Sequence, residues 1–349
     1  MDLLVDHHCH GVVRRDLDRA GFEALLTEAA GPAPGTSLFD SAVGDAVRRH
    51  CAPVLDLPAG AAPEAYLARR AELGHAEVGR RFLGAAGLAA VLVDTGYAPE
   101  PLTSPAELAA AAGAKAHEVV RLEAVAEEVA ARGITAAGFA GAVREALAGA
   151  GAVAFKSVAA YRVGLALGGE RPSAADVRAA AGRWFAAGGG RLADEPLHRF
   201  LAFTAVDIGL PVQFHTGLGD RDTDLRTGDP LLLAPWLRAV EGSGVPVSLL
   251  HCYPFHRHAA YLAQVFPTVH MDLGLATHNV GARAGAVLAE ALELCPYGKF
   301  LYSSDGFGLP ELHFLGATLF REAATADLAR RTTENARRVY GPSKGRAPC

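Results

Sequence analysis

Charge of one sign is what this sequence most clearly lacks. Its formal net charge is -5, with acidic and basic residues interspersed. Without a basic field a chain has no electrostatic hold on a phosphate backbone, so nucleic acid is excluded as the main partner. Long hydrophobic runs are missing too. No segment approaches the ~18 uninterrupted apolar residues that cross a membrane, and no basic stretch followed by an apolar one marks a secretory signal. Cysteine is sparse. Cys9, Cys51, Cys252, Cys295 and Cys349 are odd in number and scattered, which excludes a disulfide framework and fits reduced thiols in a cytoplasmic protein. There is no internal repeat and no linker, so residues 1–349 are expected to form a single domain.

Half of the residues are hydrophobic, enough to bury a large core. Short apolar runs alternate with longer alanine- and leucine-rich amphipathic stretches, the pattern of repeated βα units. The first strand begins at Leu3–Val5. Others are expected at Leu88–Thr95, Val119–Glu123, Val153–Ser157, Pro211–His215, Val245–His251, Thr268–Leu273 and Phe300–Asp305. Eight parallel strands predict an α/β fold, a TIM-like (β/α)8 barrel.

Helix signals agree with that spacing. Ser104-Pro105-Ala106-Glu107 is a capping box with proline at the first helical position, and Ser173 to Asp176 is a second helix start. Gly209 is a stop before the fifth strand. Residues 31–81 exceed a simple βα connection. Their helical periodicity, interrupted by Pro53, Pro58 and Pro63, predicts a helical insertion after the first strand, either a lid or a peripheral packing element. The polar tail 341–349 is expected to be disordered.

Asp6-His7-His8-Cys9-His10 closes the first strand. Alternation along a strand sends His8 and His10 to one face, with His7 and Cys9 on the other. Two imidazoles at that spacing can reach one divalent ion. His215, His251 and Asp305 end three further predicted strands. In a βα barrel all carboxyl strand ends meet on one rim, so these residues converge although they are far apart in sequence.

With those residues in view, the chain resembles the metal-dependent amidohydrolase superfamily, in its amidohydrolase 2 branch. The resemblance is carried by Val5-Asp6-His7-His8-Cys9-His10-Gly11, Phe214-His215-Thr216-Gly217, Leu249-Leu250-His251, Tyr302-Ser303-Ser304-Asp305 and Glu334 to Tyr340. Phe155-Lys156-Ser157 with Tyr161-Arg162, His215 to Asp220, His251 to Phe255, Met271 to Leu275 and Pro310-Glu311-Leu312 look like the narrower FluG-like group. There the domain is fused to a glutamine synthetase-like domain; here a stand-alone form is expected.

The resemblance implies that His8, His10 and His215 hold a metal, with Asp305 as a further ligand and proton carrier. Zn²⁺, as one or two ions, is the expected cofactor, and Mn²⁺ also fits. For His251 two roles stay open, ligand to a second ion or polariser of the substrate carbonyl; the second is favoured. Lys156 occupies the place where binuclear relatives carry a carboxylated lysine. The alternatives are an unmodified lysine binding an anionic substrate, or one paired near Glu123.

Arg162, Tyr161, Arg226 and Arg121 near the rim point to a carboxylate-bearing substrate. For Arg226, among four aspartates, a surface ion pair is the stronger reading. His256 and His258 are expected to face solvent, and Cys9 and Cys252 to be core thiols. The function implied is hydrolysis of an amide or other C–N bond in a small molecule. A zinc-dependent decarboxylase is the alternative, and a catalytically silent barrel the reading from another class. A homo-oligomer is possible on family grounds, but no stretch specifies an interface.

Overall fold

The computed structural model describes residues 3–341. Seven parallel strands follow chain order around one curled sheet: β1 (Leu4–Cys9), β2 (Leu88–Asp94), β3 (Lys115–Arg121), β4 (Ala154–Ser157), β5 (Val212–Thr216), β6 (Val247–His251) and β7 (Val269–Met271). Strand β3 starts earlier than expected and ends sooner, so Glu123 falls in the first turn of the helix Leu122–Ala131.

The expected eighth strand, Phe300–Asp305, is a correction. It forms no regular ladder, yet it bridges β7 to β1. The Leu301 amide donates to Met271 O (2.9 Å), the His7 amide to Tyr302 O (3.1 Å) and the Asp305 amide to His8 O (3.1 Å). The ladder breaks because the Asp6 carboxylate takes the Ser304 amide (2.9 Å). The ring is closed by single hydrogen bonds on either side of that interruption.

Period-two alternation builds the interior. Along β5, Val212 and Phe214 point outward into the layer under the helices, where Phe214 packs edge-on against Trp236. Gln213 and His215 point in. Burying each such apolar side chain contributes about 1.5–3 kcal/mol. Strand β1 departs from this rule. Its register against β2 shifts after Leu4 and again after Asp6, and both His7 and His8 reach Gln213 inside the barrel. A register irregularity of this kind re-aims the next side chain, so the expected outward face for His7 is corrected.

The amino end of the barrel is plugged from below. Val5, Leu92, Val119, Ala154 and Leu301 pack against Ala336 and Val339 of the helix Ala326–Tyr340. The Asn335 amide fixes that helix by donating to Tyr297 O and Phe300 O, both 2.8 Å.

Between β1 and β2 the chain forms the helices Arg19–Ala24, Ala42–Ala46 and Pro63–Ala85. Pro63 opens the last of these rather than breaking it, and that helix runs past residue 81 to lead into β2. Phe22, Phe39, Tyr66 and Phe82 make a second apolar cluster with Leu312, Leu315 and Leu319 of the helix Pro310–Ala323. Residues 31–81 therefore pack beside the barrel. The segment over the mouth is 24–30.

Both expected helix starts form, at Ser104–Glu107 as the expected capping box and at Ser173–Asp176 as a second one, and Gly209 ends its helix in the left-handed conformation. Cys9, Cys51, Cys252 and Cys295 are buried and unpaired. Cys349, with the tail after Gly341, lies outside the described residues. Among the described residues no helix is long and apolar enough to cross a membrane.

Candidate metal centre

The carboxyl ends of the strands open into a cavity of about 760 Å³. His8 comes from β1, Lys156 from β4, His215 from β5 and His251 from the last position of β6. His10 follows β1, and Asp305 ends the closing segment. All six line this one space. His8 Nε2 lies 3.3 Å and His10 Nε2 3.6 Å from Asp305 Oδ1, and His251 Nδ1 is 3.4 Å from Asp305 Oδ2. The ligand atoms of His8, His10 and Asp305 all fall within 4.8 Å of one another. The His215 and His251 rings are 4.6 Å apart.

Hydrogen bonding fixes which nitrogens face inward. Gln213 Nε2 donates to His7 O (2.8 Å), so its Oε1 accepts from His8 Nδ1 at 2.9 Å. His10 Nδ1 donates to the Asp94 carbonyl at 3.0 Å. With its Nδ1 proton engaged, neutral His8 turns an Nε2 lone pair toward a carboxylate oxygen, and His10, donating through Nδ1, turns its Nε2 the same way. Burial lowers His8 to about 4, with the Lys156 ammonium adding to the effect. Burial likewise holds His215 and His251 well below the usual imidazole value.

Burial would raise Asp305, but the surrounding imidazoles outweigh it and keep the carboxylate ionised. His215 Nε2, His251 Nδ1 and Asp305 Oδ1 are buried without a hydrogen-bond partner. The Nε2 atoms of His8 and His10 and the ionised Asp305 carboxylate converge with only the Lys156 amine close by, a poor arrangement for a protein alone. They suit a divalent cation, and nitrogen and carboxylate donors are the right chemistry for one.

The backbone is bent to serve this geometry. His251 and Asp305 sit at φ 67° and φ 50°, a left-handed region that non-glycine residues rarely adopt. Asp272 holds the first of them: its Oδ1 accepts from the His251 amide (2.7 Å) and the Gly274 amide (2.9 Å), while Oδ2 accepts from His7 Nε2 (2.7 Å). Asp6 supports Asp305 by gripping both the amide and the hydroxyl of Ser304. Gln213, Asp94 and Asp272 were not singled out as site residues from sequence. The usable signal was positional, because each is polar and lies within or just after a largely apolar strand.

The other expected site residues divide. Tyr161 lines the cavity with its ring 4.3 Å from His215. Arg162 lines it too, but its Nη1 donates to Glu127 (2.9 Å) and to Leu192 O. Arg121 pairs with Asp94 at 2.6 Å. Arg226 is a correction. Its side chain is 89% exposed and paired with Asp224, and it is not among the cavity residues. Lys156 Nζ stands 3.3 Å from His8 Nε2; Glu123 is engaged instead with Ser157, the Val158 amide and His198, which corrects the pairing of Lys156 near Glu123. His256 is buried against Glu290 (2.8 Å) rather than facing solvent, while His258 is exposed and paired with Asp229. Glu28, Arg191 and His278 also line the cavity, and sequence reasoning missed all three. They lie on connecting segments with no strand-end position to mark them.

Comparison with known proteins agrees with this geometry. The amidohydrolase family model matches residues 5–341. Over 200 residues, 53% of the chain, the sequence is 34% identical to protein fluG of Emericella nidulans, and the match spans 23% of that longer protein. A protein of Lactobacillus casei ATCC 334, provisionally assigned as a metal-dependent hydrolase, superposes with TM-score 0.84 at 30% identity, covering 97% of this chain and 95% of its own. Uronate isomerase of Thermotoga maritima shares the fold, with TM-score 0.57 at 14% identity over 96% of this chain and 87% of that one. The chain belongs to the amidohydrolase family.

Proposed function

We propose that the protein is a metal-dependent hydrolase that cleaves an amide or other C–N bond of a small, carboxylate-bearing molecule. The observation that carries the reading is the convergence of His8 Nε2 and His10 Nε2 on one oxygen of the ionised Asp305 carboxylate. His8, His10, His215 and Asp305 are the proposed ligands, with Zn²⁺ the favoured ion and Mn²⁺ the alternative. Bound there, such an ion lowers the pKa of a water toward about 7 and polarises a carbonyl.

The chain's own groups would do the rest. Asp305 Oδ2, directed at His251, can take a proton from the attacking water and return it to the leaving nitrogen. His251 Nδ1, buried beside it, can steady the carbonyl oxygen as charge develops. Lys156 bears on whether one ion or two are held. Burial lowers its amine to about 8, which raises the neutral fraction able to take up CO₂ as a carbamate. The guanidinium groups of Arg121, Arg162 and Arg191 at the rim can meet a carboxylate with donors their ion pairs leave over.

The test combines elemental analysis with product detection over a panel of small acids and amides. The reading expects bound divalent metal and release of ammonia or amine. Release of CO₂ without amine would favour the lyase, and metal-replete protein that binds no ion at these residues would overturn the reading.

A further inference from the structure

One side of the cavity carries two carboxylates that form no ion pair with any described residue. Glu28, in the turn after the helix Arg19–Ala24, and Asp220, in the loop after β5, line the same cavity as His8, His215 and Asp305. Glu28 is half-buried, and no described residue forms a hydrogen bond or ion pair with its carboxylate. Asp220 Oδ1 accepts only a backbone amide, that of Asp222. None of the cavity's arginines pairs with either of these carboxylates: Arg121 is bonded to Asp94, Arg162 to Glu127 and Arg191 to Asp222.

A second observation points the same way. His278, fully buried on the helix Gly274–Asn279, also lines the cavity, and its Nδ1 has no partner. A buried nitrogen that the protein leaves unsatisfied marks a place for a polar ligand atom. Burial and the nearby Asp305 and Asp220 charges push Glu28 up to about 7. A bound cation would relieve that repulsion.

We infer that the substrate carries a protonated amine, held by Glu28 and Asp220 while its scissile C–N group lies at the histidine cluster. Together with the arginine rim this makes the substrate a zwitterion, an amide of amino-acid type rather than a simple carboxylic amide. His278, lining the same cavity, contributes a hydrogen bond to another polar substrate atom. The inference rests on the hydrolase reading for its scissile group, but not for the charge match. Pairing of a charged donor with a charged acceptor in a partly desolvated site is worth about tenfold to a hundredfold in affinity.

The experiment uses metal-loaded, full-length protein and pairs of compounds identical except for one amino group: a dicarboxylic acid monoamide and its α-amino counterpart, at several chain lengths. Calorimetric affinity and amine release are both read, at pH 7.5. The expected result is a preference of about tenfold or more for the amino compound, with the preference ratio falling to within about threefold of unity in Glu28→Gln and declining further with Asp220→Asn added. Equal affinity for the two compounds, no binding of either, or an unchanged ratio in Glu28→Gln would overturn the inference. Should both be hydrolysed without preference, the hydrolase reading stands and the ammonium site falls. Should the amino compound bind preferentially while nothing is hydrolysed, the ammonium site stands and the hydrolase reading falls.

Discussion

Gln213 turns its carbonyl oxygen to Nδ1 of His8 at 2.9 Å and so decides which nitrogen of that imidazole faces the cavity. Its amide is anchored by His7 O and the Tyr340 hydroxyl, so the glutamine cannot flip without losing both bonds. Gln213→Leu is expected to weaken metal affinity by about tenfold to a hundredfold, the usual effect of removing a group that orients a ligand. Metal-exchange titration checks this, with circular dichroism confirming the fold. Unchanged affinity would mean that His8 is held by something else.

His10→Ala should abolish both metal retention and activity, because it removes a donor from the centre. His256→Ala is the matched control. Its ring is bonded to Glu290 far from the proposed ligands, so it should lower the melting temperature while metal content stays near wild type. Arg226→Ala, altering an exposed ion pair, should change neither by a measurable amount. Equal metal loss in all three variants would count against the ligand assignment.

Gly219 lies where a methyl group does not fit. A Cβ there would stand 2.2 Å from the Tyr161 hydroxyl, 2.7 Å from Thr223 Oγ1 and 2.8 Å from His215 Nε2. Gly219→Ala is expected to push Tyr161 or His215 out of position and to cut kcat/KM by about a hundredfold, as misplacement of an active-site group by about 1 Å can. The effect should exceed any change in melting temperature. Steady-state kinetics beside thermal melts would reveal the split.

His270 gives a pH test away from the metal centre. Burial lowers its imidazole to about 4, and the hydrogen bond to Thr268 O only partly offsets this. The folded pKa is depressed, so between about pH 6.5 and 4 the unfolded chain binds the proton more readily. Stability from this residue is present above pH 6.5 and is lost as pH falls toward 4, by up to about 3 kcal/mol. Urea midpoints at pH 7 and pH 4.5 should therefore diverge less in His270→Phe than in wild type. An equal drop in both would assign the acid limb to other groups.

Arg70 and Glu311 form a buried ion pair at 2.8 Å between the helices Pro63–Ala85 and Pro310–Ala323, with Tyr66 also donating to Glu311. Arg70→Met alone should cost about 3–5 kcal/mol by stranding the carboxylate. Adding Glu311→Leu should recover a large part of that loss. Denaturant unfolding of the single and double variants measures it, and a double variant no better than the single would show that the helices need the pair itself.

The strand ends were legible because two signals agree there. Apolar strand residues repeat at two and are bounded by turn residues, so His215 and His251 stood out as imidazoles closing buried runs. The closing segment was harder to read. Leu301-Tyr302-Ser303-Ser304-Asp305 has a strand's composition, but Asp6 from β1 captures the Ser304 amide, and only the folded ring brings those residues together. His7 was misread for a related reason, since a register shift cannot be seen in a sequence whose alternation looks regular. Arg226, among four aspartates, already read as a surface ion pair, but that Arg162 is paired with Glu127 in the cavity wall was decided only by the fold.

By itself the sequence determined the βα rhythm, the helix caps and the residue types gathered at the strand ends. Those depend on local backbone preference and on burial, which act over a few neighbouring positions. Which nitrogen of His8 carries its proton, where the Lys156 amine stands, and that Glu28 faces the same cavity as Asp305 were decided only by tertiary structure. Such relationships depend on distances between groups hundreds of positions apart, and those distances do not exist until the sheet curls and closes.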